Sequence, residues 1–275
     1  MTRKRIAKST GASIQQARSP SYRLPALDSD FLLGDTMRGV RFLLEYAKAE
    51  ERLRAAGIRS TIVVFGSARI KPKHSRYHEA RAFGRLASLR GGALDGDAKV
   101  RDNVIATGGG PGVMEAANRG AADVGAPSIG FNIKLPQEQV PNRYTTPELT
   151  FQFHYFAMRK MHLAMRANGL IVFPGGFGTL DELFEILTLR QTGKVDHLPV
   201  VLVDRDYWTR VINFDALVDE GMVRKEDLKL FSFAEDAEQI WQRLVEGGLK
   251  ALPSLPPTSA TRGRATPQRP RPRSV

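Results

Sequence analysis

An uninterrupted apolar run at residues 169–173 leads directly into the sequence Pro-Gly-Gly-Phe-Gly-Thr-Leu-Asp-Glu at residues 174–182. Residues 183–189 then carry apolar side chains at helical spacing. When a buried strand passes through a glycine turn into a helix, free backbone N–H groups and the positive end of the helix dipole favour an anion. The sequence therefore predicts a phosphate-binding turn here, with the carboxyl group of Glu182 close to it.

Apolar strands alternate with helices through most of the chain. Strands that are apolar throughout are typical of a parallel sheet covered by helices on both faces. The pattern predicts an α/β fold, a Rossmann-like doubly wound parallel sheet in a single domain over residues 28–250. A disordered basic tail is expected at residues 1–27 and a disordered Pro/Arg-rich tail at residues 251–275. Strands are predicted at residues 61–65, 103–107, 128–133, 149–153, 169–173, 199–203 and 228–233, helices at 37–56, 75–89, 113–124, 155–167, 183–189, 207–220 and 235–246, and a loop at 91–97.

Glycine-bearing turns follow three of the predicted strands, at Gly66 and at residues 108–112 and 175–178. In an open parallel sheet, ligands bind at the carboxyl ends of the strands, where the strand order reverses. The turns match neither the G-x-G-x-x-G pattern of dinucleotide sites nor the G-x-x-x-x-G-K-[ST] pattern of P-loop proteins. Together they favour a site for a phosphorylated small molecule other than a dinucleotide.

The net charge of +12 lies mostly at the two ends of the chain. Residues 1–30 contain six Lys or Arg against two Asp or Glu, and residues 251–275 contain five against none. Because nucleic-acid-binding folds concentrate positive charge on a folded face, we expect no specific nucleic-acid partner. No apolar run reaches the roughly 18 residues of a membrane helix, so no membrane partner is expected. The N-terminus lacks the apolar stretch of a secretory signal, and a cytoplasmic location is expected.

The residue types available exclude several classes of chemistry. The chain has no cysteine, which rules out disulfides, thiolate zinc sites and cysteine nucleophiles. His154, His162 and His197 lack the spacing of metal ligands, so we expect no metal. Ser67 lies outside a G-x-S-x-G context, which argues against a hydrolase nucleophile elbow.

Two pairs of residues allow both a structural and a functional interpretation. Thr179 and Glu182 have the Thr-x-x-Glu spacing of a capping box, in which the glutamate stabilises the helix start. Glu182 is equally well placed to act on a ligand bound at the turn. Arg159 and Lys160 lie on the predicted helix 155–167, where charged side chains usually face solvent. Spacing alone leaves these alternatives open.

Three segments resemble the Lonely Guy (LOG) family. They are Phe-Gly-Ser-Ala-Arg at residues 65–69, Thr-Gly-Gly-Gly-Pro-Gly-Val-Met-Glu-Ala-Ala-Asn-Arg-Gly-Ala at residues 107–121, and residues 174–182 preceded by Met-Arg-Lys at residues 158–160. The resemblance extends over about residues 60–235. The chain departs from short plant-type members in its extra N-terminal helix, in its 91–97 loop and in the amino-acid sequence of the second glycine turn.

The resemblance implies a phosphoribohydrolase that cleaves the N-glycosidic bond of a nucleoside 5′-monophosphate, such as AMP or a cytokinin riboside 5′-monophosphate. The products are the free base and ribose 5-phosphate. The family's catalytic arginine and glutamate fall on Arg159 and Glu182, and the resemblance implies a homodimer; we expect no cofactor. Members are often labelled lysine decarboxylases, but the sequence offers no pyridoxal-phosphate site with a candidate Schiff-base lysine. The residues expected to bind the substrate and its phosphate are Gly175, Gly176, Gly178, Thr179, Gly109, Gly110, Ser67, Arg69, Lys160 and Glu115.

These residues fit glycosidic hydrolysis, in which a fixed carboxylate stabilises an oxocarbenium-like state that water then captures. Two alternatives remain at this stage. One is a non-catalytic carrier or sensor of a phosphorylated ligand, either a nucleotide or the molybdenum cofactor. The other is an interaction protein in which the basic tails bind the partner.

Overall fold

A computed structural model describes residues 11–94, 100–136, 140–195 and 197–249. Residues 1–10 and 251–275 of the predicted tails and residues 95–97 of the predicted loop lie outside the described residues. A parallel seven-stranded sheet with the order β4-β3-β2-β1-β5-β6-β7 forms the centre of the molecule. Its strands are β1 (Thr61–Phe65), β2 (Val104–Thr107), β3 (Ser128–Ile133), β4 (Thr150–Phe153), β5 (Ala167–Val172), β6 (Val200–Val203) and β7 (Phe231–Ala234).

Helices cover both faces of the sheet. On one face α4 packs against α5 and α10, and on the other α6 and α7 lie over the central strands, with α3 packed on α6. The α/β, doubly wound prediction is therefore confirmed. The helices are α1 (Gly11–Arg18), α2 (Ser29–Leu33), α3 (Arg38–Ala55), α4 (Ser75–Arg90), α5 (Val113–Ala122), α6 (Phe156–Met165), α7 (Phe177–Gln191), α8 (Arg205–Val211), α9 (Phe214–Asp219) and α10 (Ala237–Glu246).

The strand order reverses between β1 and β5. From β1 to β4 each new strand is added on one side, and from β5 to β7 each is added on the other. Every residue of β1, β2 and β6 is buried, as apolar runs covered on both faces require. The carboxyl ends of β1 and β5 thus flank the crevice where this type of sheet binds its ligands.

Residues 207–220, for which one helix is predicted, form two helices. Ile212 is extended, and the side chain of Asn213 accepts a hydrogen bond from the N–H of Ala216 at 3.0 Å, which begins α9. The predicted strand 228–233 is also shifted, because residues up to Leu230 belong to a 3-10 helix whose start is capped by Asp227. In both cases a polar side chain that caps a helix overrides the apolar pattern.

Residues 11–27 fall within the predicted basic tail, and in the structure they contain α1 and two 3-10 helices. Pro20 and Pro25 begin the two 3-10 helices, where a fixed backbone φ angle and the missing N–H cost nothing. Arg23 adds ion pairs to Asp28 and Asp30 at 3.8 and 3.5 Å. Nearly all side chains of residues 13–27 are exposed, so local backbone preferences rather than a core account for the helices.

Candidate active site

The turns after β1, β2 and β5 meet at the carboxyl edge of the sheet. The N–H of Ser67 donates to the carbonyl of Pro174 at 2.9 Å, and the N–H of Val113 donates to the carbonyl of Ser67 at 3.1 Å. Gly112 has a φ of +72°, and a Cβ there would lie 2.3 Å from the Ser67 carbonyl oxygen. The close approach of the first two turns therefore requires glycine at this position.

The turn before α7 presents unpaired donors to an open space. The extended residue Gly176 precedes the helix, and its carbonyl accepts from the N–H groups of Thr179 and Leu180. Across the described part of the chain, the N–H groups of Gly176, Phe177 and Gly178 donate to no protein acceptor. A Cβ at either glycine would meet no heavy atom within 4 Å. The start of α7 therefore has the donors and the room for an anion.

Glu182 and Arg159 form a buried ion pair below this turn. Nη2 of Arg159 donates to Oε1 of Glu182 at 2.6 Å, and the two side chains are only 10% and 4% exposed. Among the residues that the structure describes, Nε of Arg159 is buried without a hydrogen-bond partner. Gly176 precedes α7, and in the described chain the helix start has no side-chain cap, so the capping-box interpretation of Thr179 and Glu182 is wrong.

Burial raises the pKa of the Glu182 carboxyl group to about 7. The positive charges of Arg159 and Lys160 lower it, but they offset only part of this effect. Loss of water disfavours the charged carboxylate when its surroundings are apolar. Glu182 borders a narrow cavity whose apolar lining is formed by Val63, Phe65, Leu163, Ala164, Ala167, Leu170 and Ile186.

Lys160 is held between two carboxylates of α7. Its Nζ lies 2.9 Å from Oδ1 of Asp181 and 3.2 Å from Oε2 of Glu185. Burial lowers the pKa of this lysine, but hydrogen bonds to the two carboxylates outweigh burial and the pKa is raised. Lys160 is therefore a stable cation beside the Arg159–Glu182 pair.

The glycine turn after β2 is fixed by buried polar side chains. The N–H of Gly109, whose φ is +69°, donates to Oγ1 of Thr107 at 2.9 Å. The backbone N–H of Asn142 donates to the Gly109 carbonyl at 2.9 Å, and its Nδ2 donates to the Gly110 carbonyl at 3.1 Å. Asn118 accepts hydrogen bonds from both Thr107 and Asn142 and completes the network.

The remaining expected binding residues lie on the same edge but have other partners. Oγ of Ser67 accepts from the N–H of Arg69 at 3.1 Å, and the Arg69 side chain is exposed. Glu115, in the first turn of α5, accepts from the hydroxyl of Tyr77 at 2.8 Å. Among the described residues, neither Arg69 nor Glu115 is hydrogen-bonded to Arg159 or Glu182.

Sequence reasoning missed two residues that fix these turns, Asn142 and Tyr207. The hydroxyl of Tyr207 donates to the carbonyl of Gly175 at 2.6 Å, across 32 residues of sequence. Neither residue belongs to a short motif, because each acts through a tertiary contact with a backbone carbonyl. For Tyr207, the nearest signal in the sequence is Asp204, an acidic residue directly after the apolar run of β6.

Within the described residues, no group of three or more His, Asp or Glu side chains could hold a metal ion. None of the described helices is long and apolar enough to cross a membrane.

Comparison with known proteins places the chain in a family. The family model described as "Possible lysine decarboxylase" matches residues 114–244. Cytokinin riboside 5′-monophosphate phosphoribohydrolase LOG3 of Arabidopsis thaliana is 30% identical over 171 residues, which cover 59% of this chain and 77% of LOG3. The probable phosphoribohydrolase LOGL3 of Oryza sativa subsp. japonica is 28% identical over 153 residues, 52% of this chain and 68% of LOGL3.

The crystal structure of TM1055 aligns with 68% of this chain and 99% of its own, at 21% sequence identity and a TM-score of 0.47. The sequence match to LOG3, which spans most of that protein, assigns the family. The chain belongs to the Lonely Guy (LOG) family.

Proposed function

We propose that this protein hydrolyses the N-glycosidic bond of a nucleoside 5′-monophosphate and releases the free base and ribose 5-phosphate. The observation that carries the proposal is the buried Arg159–Glu182 pair on the same side of the sheet as the free N–H groups of the turn before α7. Glu182 lies five residues after the start of α7, about 7.5 Å along the helix axis. A ribose bound by its 5′-phosphate at the turn would bring its anomeric carbon near this carboxyl group.

The names of the relatives support this substrate class. LOG3 and LOGL3 carry the name of cytokinin riboside 5′-monophosphate phosphoribohydrolases. We therefore propose AMP or a cytokinin riboside 5′-monophosphate as the substrate. The glycine turns agree with a mononucleotide, because they lack the fingerprint of a dinucleotide site.

In the proposed reaction, phosphate binding positions the substrate and Glu182 acts on the sugar. Gly175, Gly176, Gly178 and Thr179 hold the 5′-phosphate at the helix start, which converts binding energy into orientation. The bond between C1′ and the base nitrogen breaks, and its electron pair leaves with the base. The carboxylate stabilises the cationic sugar, water adds its oxygen to C1′, and the proton released from water reaches the departing base.

The pKa of about 7 suits Glu182 for this role, since near neutral pH it can both stabilise positive charge and accept a proton from water. Arg159 keeps the carboxylate oriented, and its unpartnered Nε can donate to the substrate. We assign the opposite wall of the site to the first two turns and the start of α5. The residues of that wall are Ser67, Arg69, Gly109, Gly110 and Glu115.

The state of Lys160 argues against amine chemistry at this site. A lysine that forms a Schiff base must lose its proton, which requires a lowered pKa. The carboxylates of Asp181 and Glu185 instead raise the pKa of Lys160. This favours glycosidic hydrolysis over the lysine decarboxylation suggested by the description of the family model.

We also propose that the protein is a homodimer. One groove on the outer side of α7 has four apolar and three polar residues in its lining: Phe177, Leu180, Phe184 and Leu189, with Asp181, Glu185 and Thr188. Phe177 is 92% exposed and Phe184 is 40% exposed. Exposed apolar patches of this kind mark interaction surfaces. Light scattering should give twice the chain mass for the wild type and the single chain mass for Phe184→Asp; a monomeric wild type would refute the dimer.

The direct test is base release from a panel of nucleoside 5′-monophosphates that includes AMP and a cytokinin riboside 5′-monophosphate. Free base and ribose 5-phosphate should appear in equal amounts. Glu246→Gln is the control for Glu182→Gln, because it removes a carboxylate that is 48% exposed and belongs to α10, on the opposite face of the sheet. If no monophosphate releases its base, the hydrolase proposal is wrong; tight binding without release would support a carrier or sensor.

A further inference from the structure

Tyr207 reaches from α8 to the turn that follows β5. Its hydroxyl donates to the carbonyl oxygen of Gly175 at 2.6 Å. The two residues belong to neighbouring strand–helix units, because β6 lies beside β5 in the sheet. The contact therefore joins the candidate phosphate turn to the neighbouring strand–helix unit, β6 and α8.

This hydrogen bond fixes the direction of a donor. In a trans peptide unit, the carbonyl of one residue and the N–H of the next point in opposite directions. With the Gly175 carbonyl directed at Tyr207, the N–H of Gly176 points away from Tyr207. That N–H is one of the free donors at the start of α7, in the part of the chain that the structure describes.

The other side of Gly175 is closed by Thr179. A Cβ at Gly175 would lie 2.1 Å from Oγ1 of Thr179, and Thr179 is buried. The Thr179 side chain thus packs beside Cα of Gly175, while the Tyr207 hydroxyl binds the Gly175 carbonyl. Loss of the Tyr207 hydroxyl would leave the carbonyl without this partner and free the peptide unit to rotate.

Tyr207 is itself held in place by a charged network. Its N–H donates to Oδ1 of Asp204 at 3.0 Å, and the guanidinium carbon of Arg76 lies 5.5 Å from the centre of its ring. Nε of Arg76 donates to Oδ2 of Asp204 at 2.8 Å, and Nη2 binds the same oxygen. Asp204 adopts a φ of +72°, in the left-handed region that aspartate occupies more often than most non-glycine residues, and it caps the start of α8.

We propose that Tyr207 is a positioning residue for phosphate recognition: its hydroxyl sets the Gly175–Gly176 peptide so that the Gly176 N–H faces the 5′-phosphate. The inference rests on the proposed function for the identity of the ligand. It assigns Tyr207 to binding of the phosphate, and separates it from the chemistry at Glu182.

The test is Tyr207→Phe, which removes the hydroxyl and keeps the ring beside Arg76. Isothermal titration with ribose 5-phosphate should show affinity about tenfold weaker than the wild type, the scale of one hydrogen bond. Affinity for adenine should not change. In turnover, KM for AMP should rise while kcat changes less than threefold. Thr209→Val is the matched control, since it removes from the same helix a hydroxyl whose partner among the described residues is the Arg205 carbonyl.

Three outcomes would overturn the inference. The first is equal affinity of wild type and Tyr207→Phe for ribose 5-phosphate, including no binding by either. The second is an equal loss of affinity for adenine, which would indicate general damage to the site. The third is a fall in kcat with KM unchanged. Failure of the proposed function is distinguishable, because a wild type that binds ribose 5-phosphate but releases no base still reports on Tyr207 through affinity.

Discussion

The described part of the molecule contains two buried Arg–Glu pairs, and both arginines belong to the same stretch of chain. Arg159, in α6, pairs with Glu182 at the carboxyl edge of the sheet. Arg166, directly after the end of α6, pairs with Glu50 of α3 beside the start of β1. The closest oxygen–nitrogen distances are 2.6 and 2.8 Å, so geometry alone does not separate the two pairs.

The pKa values separate them. Hydrogen bonding from Arg166 and Arg54 lowers the pKa of Glu50 to about 2, although burial opposes this. Burial raises the pKa of Glu182 to about 7, although Arg159 and Lys160 oppose this. Within the described residues, Glu50 accepts hydrogen bonds from two guanidinium groups, whereas Glu182 accepts one, from Arg159. A carboxylate that two arginines keep ionised stabilises a fold, and a carboxyl group whose pKa lies near neutrality is suited to chemistry.

The largest effect is expected for Glu182→Gln. The amide keeps the shape and one acceptor but can neither stabilise a cationic sugar nor accept a proton. We expect kcat for base release to fall by about 10³-fold, within the range for loss of an electrostatic or acid–base group. Quantifying released base checks this. Activity within tenfold of the wild type would remove Glu182 from the chemistry.

Glu50→Gln should show the opposite profile. It leaves the buried guanidinium of Arg166 without its carboxylate, which typically costs about 3–5 kcal/mol. Chemical denaturation should therefore show a large drop in the free energy of unfolding, while kcat of the folded protein stays near that of the wild type. A loss of kcat comparable to that of Glu182→Gln would contradict the division into a structural and a chemical pair.

The pH dependence of stability should differ in direction. Glu182 has a pKa raised from 4.5 to about 7, so its stabilising contribution is present below pH 4.5 and is lost as pH rises through 7. Glu50 has a pKa lowered from 4.5 to about 2, so its contribution is present above pH 4.5 and is lost as pH falls towards 2.

Denaturation of the wild type and of the two glutamine variants at several pH values measures these contributions. The stability of the wild type relative to Glu182→Gln should fall as the pH rises from 4.5 to 7, and its stability relative to Glu50→Gln should fall as the pH drops from 4.5 to 2. If both differences shrink towards acid, Glu182 is an ordinary ionised salt-bridge partner.

The smallest effect is expected at the start of α6. The carboxylate of Glu45 accepts from the N–H groups of His154 and Tyr155 at 2.8 and 3.3 Å. Glu45→Gln removes a negative charge from the positive end of the helix that carries Arg159, which should cost about 1 kcal/mol of stability. The melting temperature measures the loss of stability, and kcat shows whether a change at the start of α6 alters the site. An unchanged melting temperature would contradict this prediction.

The fold could be predicted because burial on both faces of a sheet demands apolar runs, and the bounds of β1 and β3 agree with the prediction residue by residue. The split of α8 from α9 could not, because it depends on a cap at Asn213.

For the candidate site, residue spacing indicated the glycine turns but left open whether Thr179 caps α7. The N-cap position is occupied by Gly176, three residues before Thr179. The contacts of Tyr207 with Gly175 and of Asn142 with Gly109 are tertiary, so no local pattern announces them.

The strand order also has a consequence for how the protein is made. A nascent chain that has reached the end of β4 can pair β1 with β2, β2 with β3 and β3 with β4, and in each pair the strands are consecutive in sequence. β1 must then wait for β5, which follows it by about a hundred residues, and closing so long a loop is slow. Both Arg159 and the turn at Gly176 come from this later part. The nascent chain can therefore pair β1 to β4 before it contains either Arg159 or Glu182. The edge of β1 stays exposed to mispairing until β5 pairs with it.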